Sequence, residues 1–329
     1  MKSIGPADEK YSFAPQAQTR HRADVVDWLL LILPGCIWGA SFLFIAEGLD
    51  AVGPNGVTFV RIAVGFLTLS LVPAARRPIR RSDRSGAAAL GIVWLAFPLS
   101  MFPFAEQHVS SALTGMLNGA TPLFAAAVAA GLARRMPPPA VLVGIAVGFT
   151  GAILIALPGM AAAENAAGQT RGVLLILVAL VSYGFAINLA RPLQQRNGAL
   201  PVIWRALGIA LIATAPLGVP AVLDAHWSAR PVAALLTLGA FGTAIAYVMA
   251  ATAAGRMGAT TASATTFLMP VVALALGIGV RHEQVAPLSV VGAAVCLAGA
   301  WMIRQARASA EREAASHPEP AFASPQPPS

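Results

Sequence analysis

Apolar residues in this chain neither alternate nor keep to one helical face. They come in ten runs, roughly residues 28–49, 54–74, 86–105, 108–132, 138–157, 171–190, 199–222, 231–253, 258–280 and 285–303. Runs that are hydrophobic all round predict helices enclosed by lipid or by other helices. Most reach the about 20 residues that cross a bilayer core. The short alternating segments of a membrane β-barrel are not visible. The predicted class is therefore an all-α polytopic membrane protein.

The apolar pattern also occurs twice. Sliding Ser110–Ile155 onto Gly258–Ile303, a shift of 148 positions without a gap, pairs Pro122 with Pro270, Gly131 with Gly279 and Pro139 with Pro287. Val143-Gly144 falls on Val291-Gly292, and Gly151-Ala152 on Gly299-Ala300. Matches of Pro and Gly carry weight because these residues fix backbone geometry. Each copy reads as two spans, the first broken by its proline, Pro122 or Pro270. A duplicated hydrophobic unit with a broken helix points to a secondary transporter. Five spans precede the loop at 158–170 and five follow it. An odd number per half turns the second half upside down relative to the first. The expected fold is ten transmembrane helices as two inverted five-helix repeats.

Composition supports the membrane reading: 57% of residues are hydrophobic and 11% charged, against about 25% charged in soluble domains. The net charge of +8 does not mark a nucleic-acid binder, because the arginines cluster in short connections between apolar spans. With the N-terminus inside, the inner segments hold Lys2, Lys10, Arg20 and Arg22, then Arg76, Arg77, Arg80, Arg81 and Arg84. They also hold Arg134, Arg135, Arg191, Arg196, Arg256, Arg304, Arg307 and Arg312. Only Arg171, Arg230 and Arg281 fall outside, and Arg61 and Arg205 lie within spans. The bias predicts both termini in the cytoplasm. Residues 1–27 are expected to be a disordered cytoplasmic tail and 304–329 a second one, flanking repeats at 28–157 and 171–303. The first apolar run is long and lacks a small-x-small cleavage site, which argues against a signal peptide.

The two cysteines, Cys36 and Cys296, sit inside apolar spans and suit neither a metal site nor a disulfide framework. No Gly-rich phosphate loop with Lys, no H-E-x-x-H and no G-x-S-x-G is present. No cofactor, metal or catalytic group is expected, and ATP is not expected to drive the protein.

Trp38-Gly39, Phe59-Val60-Arg61, the segment Ala105 to Ala112, Thr121-Pro122-Leu123, Tyr183-Gly184, Trp204-Arg205, Met269-Pro270 and Glu283 follow in order. In that order and spacing the chain resembles the drug/metabolite transporter superfamily, EamA type, over roughly residues 28–303. The resemblance implies a ten-helix inner-membrane carrier, commonly an exporter of amino acids, other metabolites or toxic compounds. Family members often carry Glu after the fourth and the ninth helix. Glu283 keeps the second of these, whereas position 135 is Arg.

Several polar residues are candidates for the pathway, each with a plainer structural reading. Arg61 and Arg205 are embedded cations, costing about 2.5–3.5 kcal/mol on insertion scales. They attract an anionic solute or snorkel to a membrane face. Glu106 and His108, at a turn, are candidates for proton coupling or caps of the next helix. Asn118 lies one turn before Pro122, whose ring frees a carbonyl there. Thr266 has the same place before Pro270. Trp38, Tyr183 and Tyr247 line the path or fill space between helices. The expected function is alternating-access export of a small metabolite, amino acid or drug-like solute, with protons as the candidate coupling ion. The lipid bilayer is the other partner, nucleic acid is not one, and the protein is a monomer or homodimer. An intramembrane enzyme acting on a lipid, or a non-transporting structural or receptor protein, is the alternative.

Overall fold

The computed structural model describes residues 24–134, 136–161, 166–258 and 262–316. Among these there is no strand, and ten apolar helices follow one another. They are α1 (Val25–Leu49), α2 (Pro54–Ser70), α3 (Arg84–Leu90 continuing through Phe97–Glu106), α4 (Ser111–Asn118 and Thr121–Ala133) and α5 (Pro139–Ala161). The second half has α6 (Ala166–Asn197), α7 (Ala199–Leu223), α8 (Ala229–Met257), α9 (Ser263–Arg281) and α10 (Pro287–Ser316). Eight are single helices long and apolar enough to span a bilayer, and α4 is a ninth, bent by 40° at its break. The remaining helix, α2, has 17 residues and an apolar sequence.

Local chemistry sets the ends. Asp24 and Asp27 exchange side-chain bonds with each other's backbone N–H, a capping box at the start of α1. Pro54 opens α2 where its missing N–H costs nothing. Ser110 Oγ accepts from the N–H of Leu113 at the start of α4. At their far ends α4 and α9 stop alike, on left-handed residues Arg134 (φ 49°) and His282 (φ 56°), which the 148-residue shift superposes.

The packing repeats the exchange seen in the sequence. Helix α2 packs on α7, α4 on α9 and α5 on α10, while α3 with α6 has its twin in α8 with α1. Likewise α4 with α6 has its twin in α9 with α1. The two halves thus form one bundle in which each contact has a mirrored partner. Of the Gly residues matched in the sequence, those of α5 and α10 lie on the seam between these two helices. A Cβ on Gly144 would meet the Gly299 carbonyl at 3.0 Å, and one on Gly292 the Gly151 carbonyl at 2.8 Å. The seam is therefore within one subunit, backbone against backbone.

Two boundaries differ from the sequence expectation. Helix α10 continues through Ser316, so the first part of the expected 304–329 tail is helical; its Ala, Glu, Gln and Arg residues are strong helix formers. Helices α5 and α6 run to Ala161 and from Ala166, which leaves only 162–165 of the expected 158–170 linker outside the described residues. The N-terminal tail through residue 23, and residues 317–329, also lie outside them.

Candidate functional site

The breaks in the helices position the central side chains. Helix α3 contains a π turn at Gly91–Ala96 and α8 one at Ala240–Ile245. Such a turn widens the helix by one residue and leaves its carbonyls short of partners. Both turns recruit a donor from the neighbouring helix of the other half. Ser182 Oγ on α6 donates to the Val93 carbonyl at 2.6 Å, and Trp38 Nε1 on α1 donates to the Gly242 carbonyl at 3.1 Å.

Next to Gly242, Thr243 Oγ1 accepts from Arg61 Nε at 3.0 Å and itself donates to the Leu238 carbonyl at 3.3 Å. Arg61 is buried, at 7% exposure. Its guanidinium lies within electrostatic reach of Tyr183, Tyr247 and Glu106. Rings surround it: Trp38 and Trp94 each sit edge-on to Tyr247, at 5.6 and 5.5 Å, and Phe102 lies 5.9 Å from Tyr183. Of the side-chain atoms described, only the two Glu106 oxygens are both sealed and without a hydrogen bond. Among the described residues the Arg61 terminal nitrogens and the Tyr183 and Tyr247 hydroxyls make no hydrogen bond, and unlike the Glu106 oxygens they are not sealed. A cation with unused donors, two hydroxyls and flat ring walls can hold the anionic group of a small solute.

The structure therefore brings Trp38, Arg61, Tyr183, Tyr247 and Glu106 together from five helices. Asn118 lies at the break of α4. The carbonyl that Pro122 leaves without its helical partner is Asn118 O, and Thr121 Oγ1 donates to it at 2.7 Å. Thr266 sits in the 3-10 turn Ser263–Phe267 that begins α9, its hydroxyl bonded to the Ser263 carbonyl. His108 packs beside Gly172 at the turn after α3. Arg205 is elsewhere: it bonds the Pro201 carbonyl on its own helix and lies 5.4 Å over the Trp204 ring.

One end of the bundle is closed across the halves. Glu283, just past α9, accepts from Ser111 N–H at 3.0 Å, Ser111 Oγ at 2.7 Å and Ala112 N–H at 2.8 Å. Below this clasp the backbones nearly touch. A Cβ on Gly277 would meet Ala112 at 2.8 Å, one on Gly115 would meet Ala273 at 2.1 Å and one on Gly119 would meet Pro270 at 2.6 Å. Beyond the Gly119–Pro270 crossing, the second half of α4 and the 3-10 start of α9 form no packed interface among the described residues. At the closed end Glu47 also accepts from Arg230 and Arg281, at 2.9 and 2.8 Å. Sequence reasoning placed neither Glu283 nor Glu47 in the site. Glu283 stood out only as the acid that the resemblance places after the ninth helix, and Glu47 only as an acid at the rim of an apolar run.

A family model described as the EamA-like transporter family matches residues 28–157 and again 170–305. A probable terminal-alkyne amino-acid exporter of Streptantibioticus cattleyicolor is 28% identical over 292 residues, covering 87% of this chain and 96% of its own. The uncharacterized inner membrane transporter YedA of Escherichia coli is 26% identical, over 77% of this chain and 82% of its own. A protein of known crystal structure shares the fold, with a TM-score of 0.56 and 17% identity over 88% of this chain and 98% of that one.

Proposed function

The chain belongs to the EamA-like transporter family, and from that premise we propose that it exports a small metabolite with an anionic group, an amino acid being the favoured class, by alternating access. The observation that carries this reading is the one-ended closure. Helices α4 and α9 are clasped from Glu283 down to the Gly119–Pro270 crossing and part beyond it. In a bundle whose contacts are mirrored between its halves, exchanging the two conformations closes the other end and opens this one. In this reading Arg134 and Arg256 face the cytoplasm, as the charge bias favours, and the conformation is open inward and closed outward across an inner membrane.

In this reading Arg61 takes the anionic group, and Trp38, Tyr183 and Tyr247 enclose the rest, with Asn118 and Thr266 at the mobile breaks. Glu106, sealed beneath the clasp, is the group that exchanges a proton when the closed end opens. The amino-acid class is supported by the name of the Streptantibioticus relative and by Arg61, the one buried cation among the described residues. No chemical conversion of the solute is part of the cycle. The test is counterflow in proteoliposomes loaded with a panel of amino acids, without ATP, with and without a pH gradient. Exchange of at least one amino acid is expected. Exchange confined to uncharged solutes would overturn the proposed role of Arg61, and no exchange of any solute would overturn transport.

A further inference from the structure

On the flank of the bundle away from the central site, α2, α3 and α7 enclose a cavity of about 460 Å³. Its rim carries Arg84 and Arg205, its floor is the Phe66–Trp204 pair, and its inner wall is Gly208, Ile209 and Ile212. The floor is fixed. The two rings stack at 5.3 Å, and Trp204 Nε1 donates to Ser70 Oγ at 2.8 Å. Gly208 keeps the wall thin, since a Cβ there would already stand 3.3 Å from the Phe66 ring.

The charges are arranged for an anion. Arg84 and Arg205 are close enough to repel each other, and among the described residues neither has a carboxylate partner. Asp83 beside them is engaged elsewhere, accepting from Arg196 at 2.7 Å and from Asn197 at 2.7 Å. Depth matches as well. Arg84 starts α3, and Arg205 stands six residues into α7, about 9 Å along the axis from the same end. Ile212 lies about 10 Å deeper still and is 71% exposed, on a helix flank that a membrane would cover with acyl chains.

We propose that this cavity binds an anionic phospholipid, the phosphate held between Arg84 and Arg205 and one acyl chain laid along Gly208, Ile209 and Ile212. Two cations at headgroup depth above an apolar groove are the arrangement that selects acidic over zwitterionic lipid. A soluble anion would use the arginines and leave the groove unfilled. The site does not involve Arg61 or the clasp, so it stands whether or not the transport reading does.

The test is native mass spectrometry of the full chain in detergent, titrated with phosphatidylglycerol or phosphatidylcholine of the same chain length. One phosphatidylglycerol is expected to bind in preference to phosphatidylcholine. The double variant Arg84→Gln/Arg205→Gln should bind it about 25-fold more weakly, a factor of about five for each cation. Gly208→Leu, which keeps both arginines and fills the groove, should also lose it, with folding checked by thermal unfolding. Equal retention of the two lipids, or an undiminished complex in the double variant, would overturn the proposal. Displacement of the lipid by millimolar inorganic phosphate alone would assign the arginines to a free anion and overturn it too.

Discussion

Arg61 of the first half is tied to Thr243 of the second by a single bond from Nε, 3.0 Å long. That bond fixes the plane of the guanidinium and leaves both terminal nitrogens unused. Lysine keeps the charge but has one nitrogen, which cannot hold Thr243 and present a fork to a carboxylate at once. Arg61→Lys should therefore raise KM for the transported solute about tenfold or more, as expected for losing one charge-assisted hydrogen bond. Initial rates in proteoliposomes across solute concentrations will show it. An unchanged KM would remove Arg61 from the binding site.

The clasp at Glu283 gathers three donors from the start of α4. Glu283→Ala abolishes all three bonds, and Ser111→Ala only the one from Oγ. In a chain freed of Cys36 and Cys296, spin labels at Gln107 and His282 should report a wider separation in the first variant. The population of the open form is expected to rise about tenfold or more, with a smaller rise in the second. Identical distance distributions in all three proteins would mean that the clasp does not hold this end.

On the α5–α10 seam, a Cβ at Gly151 would lie 2.3 Å from the Cys296 nitrogen, whereas at Gly131 nothing lies within 4 Å. Gly151→Ala should cost about 1–3 kcal/mol, because two backbones must move apart. Gly131→Ala should be neutral or gain about 0.5–1 kcal/mol from better helix propensity. The unfolding midpoint in detergent should fall for Gly151→Ala and hold or rise for Gly131→Ala, and an equal fall in both would contradict the seam.

Ser182 supplies the side-chain donor to the Val93 carbonyl within the π turn of α3. Ser182→Ala is expected to cost about 1 kcal/mol while leaving lipid-facing surfaces unchanged. Hydrogen exchange of amides in Gly91–Ala96 should accelerate in the variant. Exchange unchanged across the turn would show that the bond does not stabilise it.

The helices were legible because a bilayer imposes length and hydrophobicity, and all ten predicted starts fall within about five residues of those observed. The repeat was legible through Pro and Gly, whose geometry survives when apolar side chains drift. What escaped was anything decided by a neighbour. Nothing in Gly91–Ala96 or Ala240–Ile245 spells a π turn, and the donor that reaches a carbonyl of each, Ser182 or Trp38, comes from another helix. Arg61 and Arg205 read alike as embedded arginines, yet one meets Thr243 across the halves and the other only its own helix and Trp204. The carbonyl freed by Pro122 was foreseen. That Thr121 would occupy it depends on a rotamer, which a sequence does not display.

Helices α5 and α10 meet so closely that neither has room to roll or slide against the other. In the alternating-access cycle proposed above they travel as one strut, and the open mouth is exchanged between the two sides by the helices around it. New cargo can then be accommodated by rewriting the central walls while the strut stays as it is.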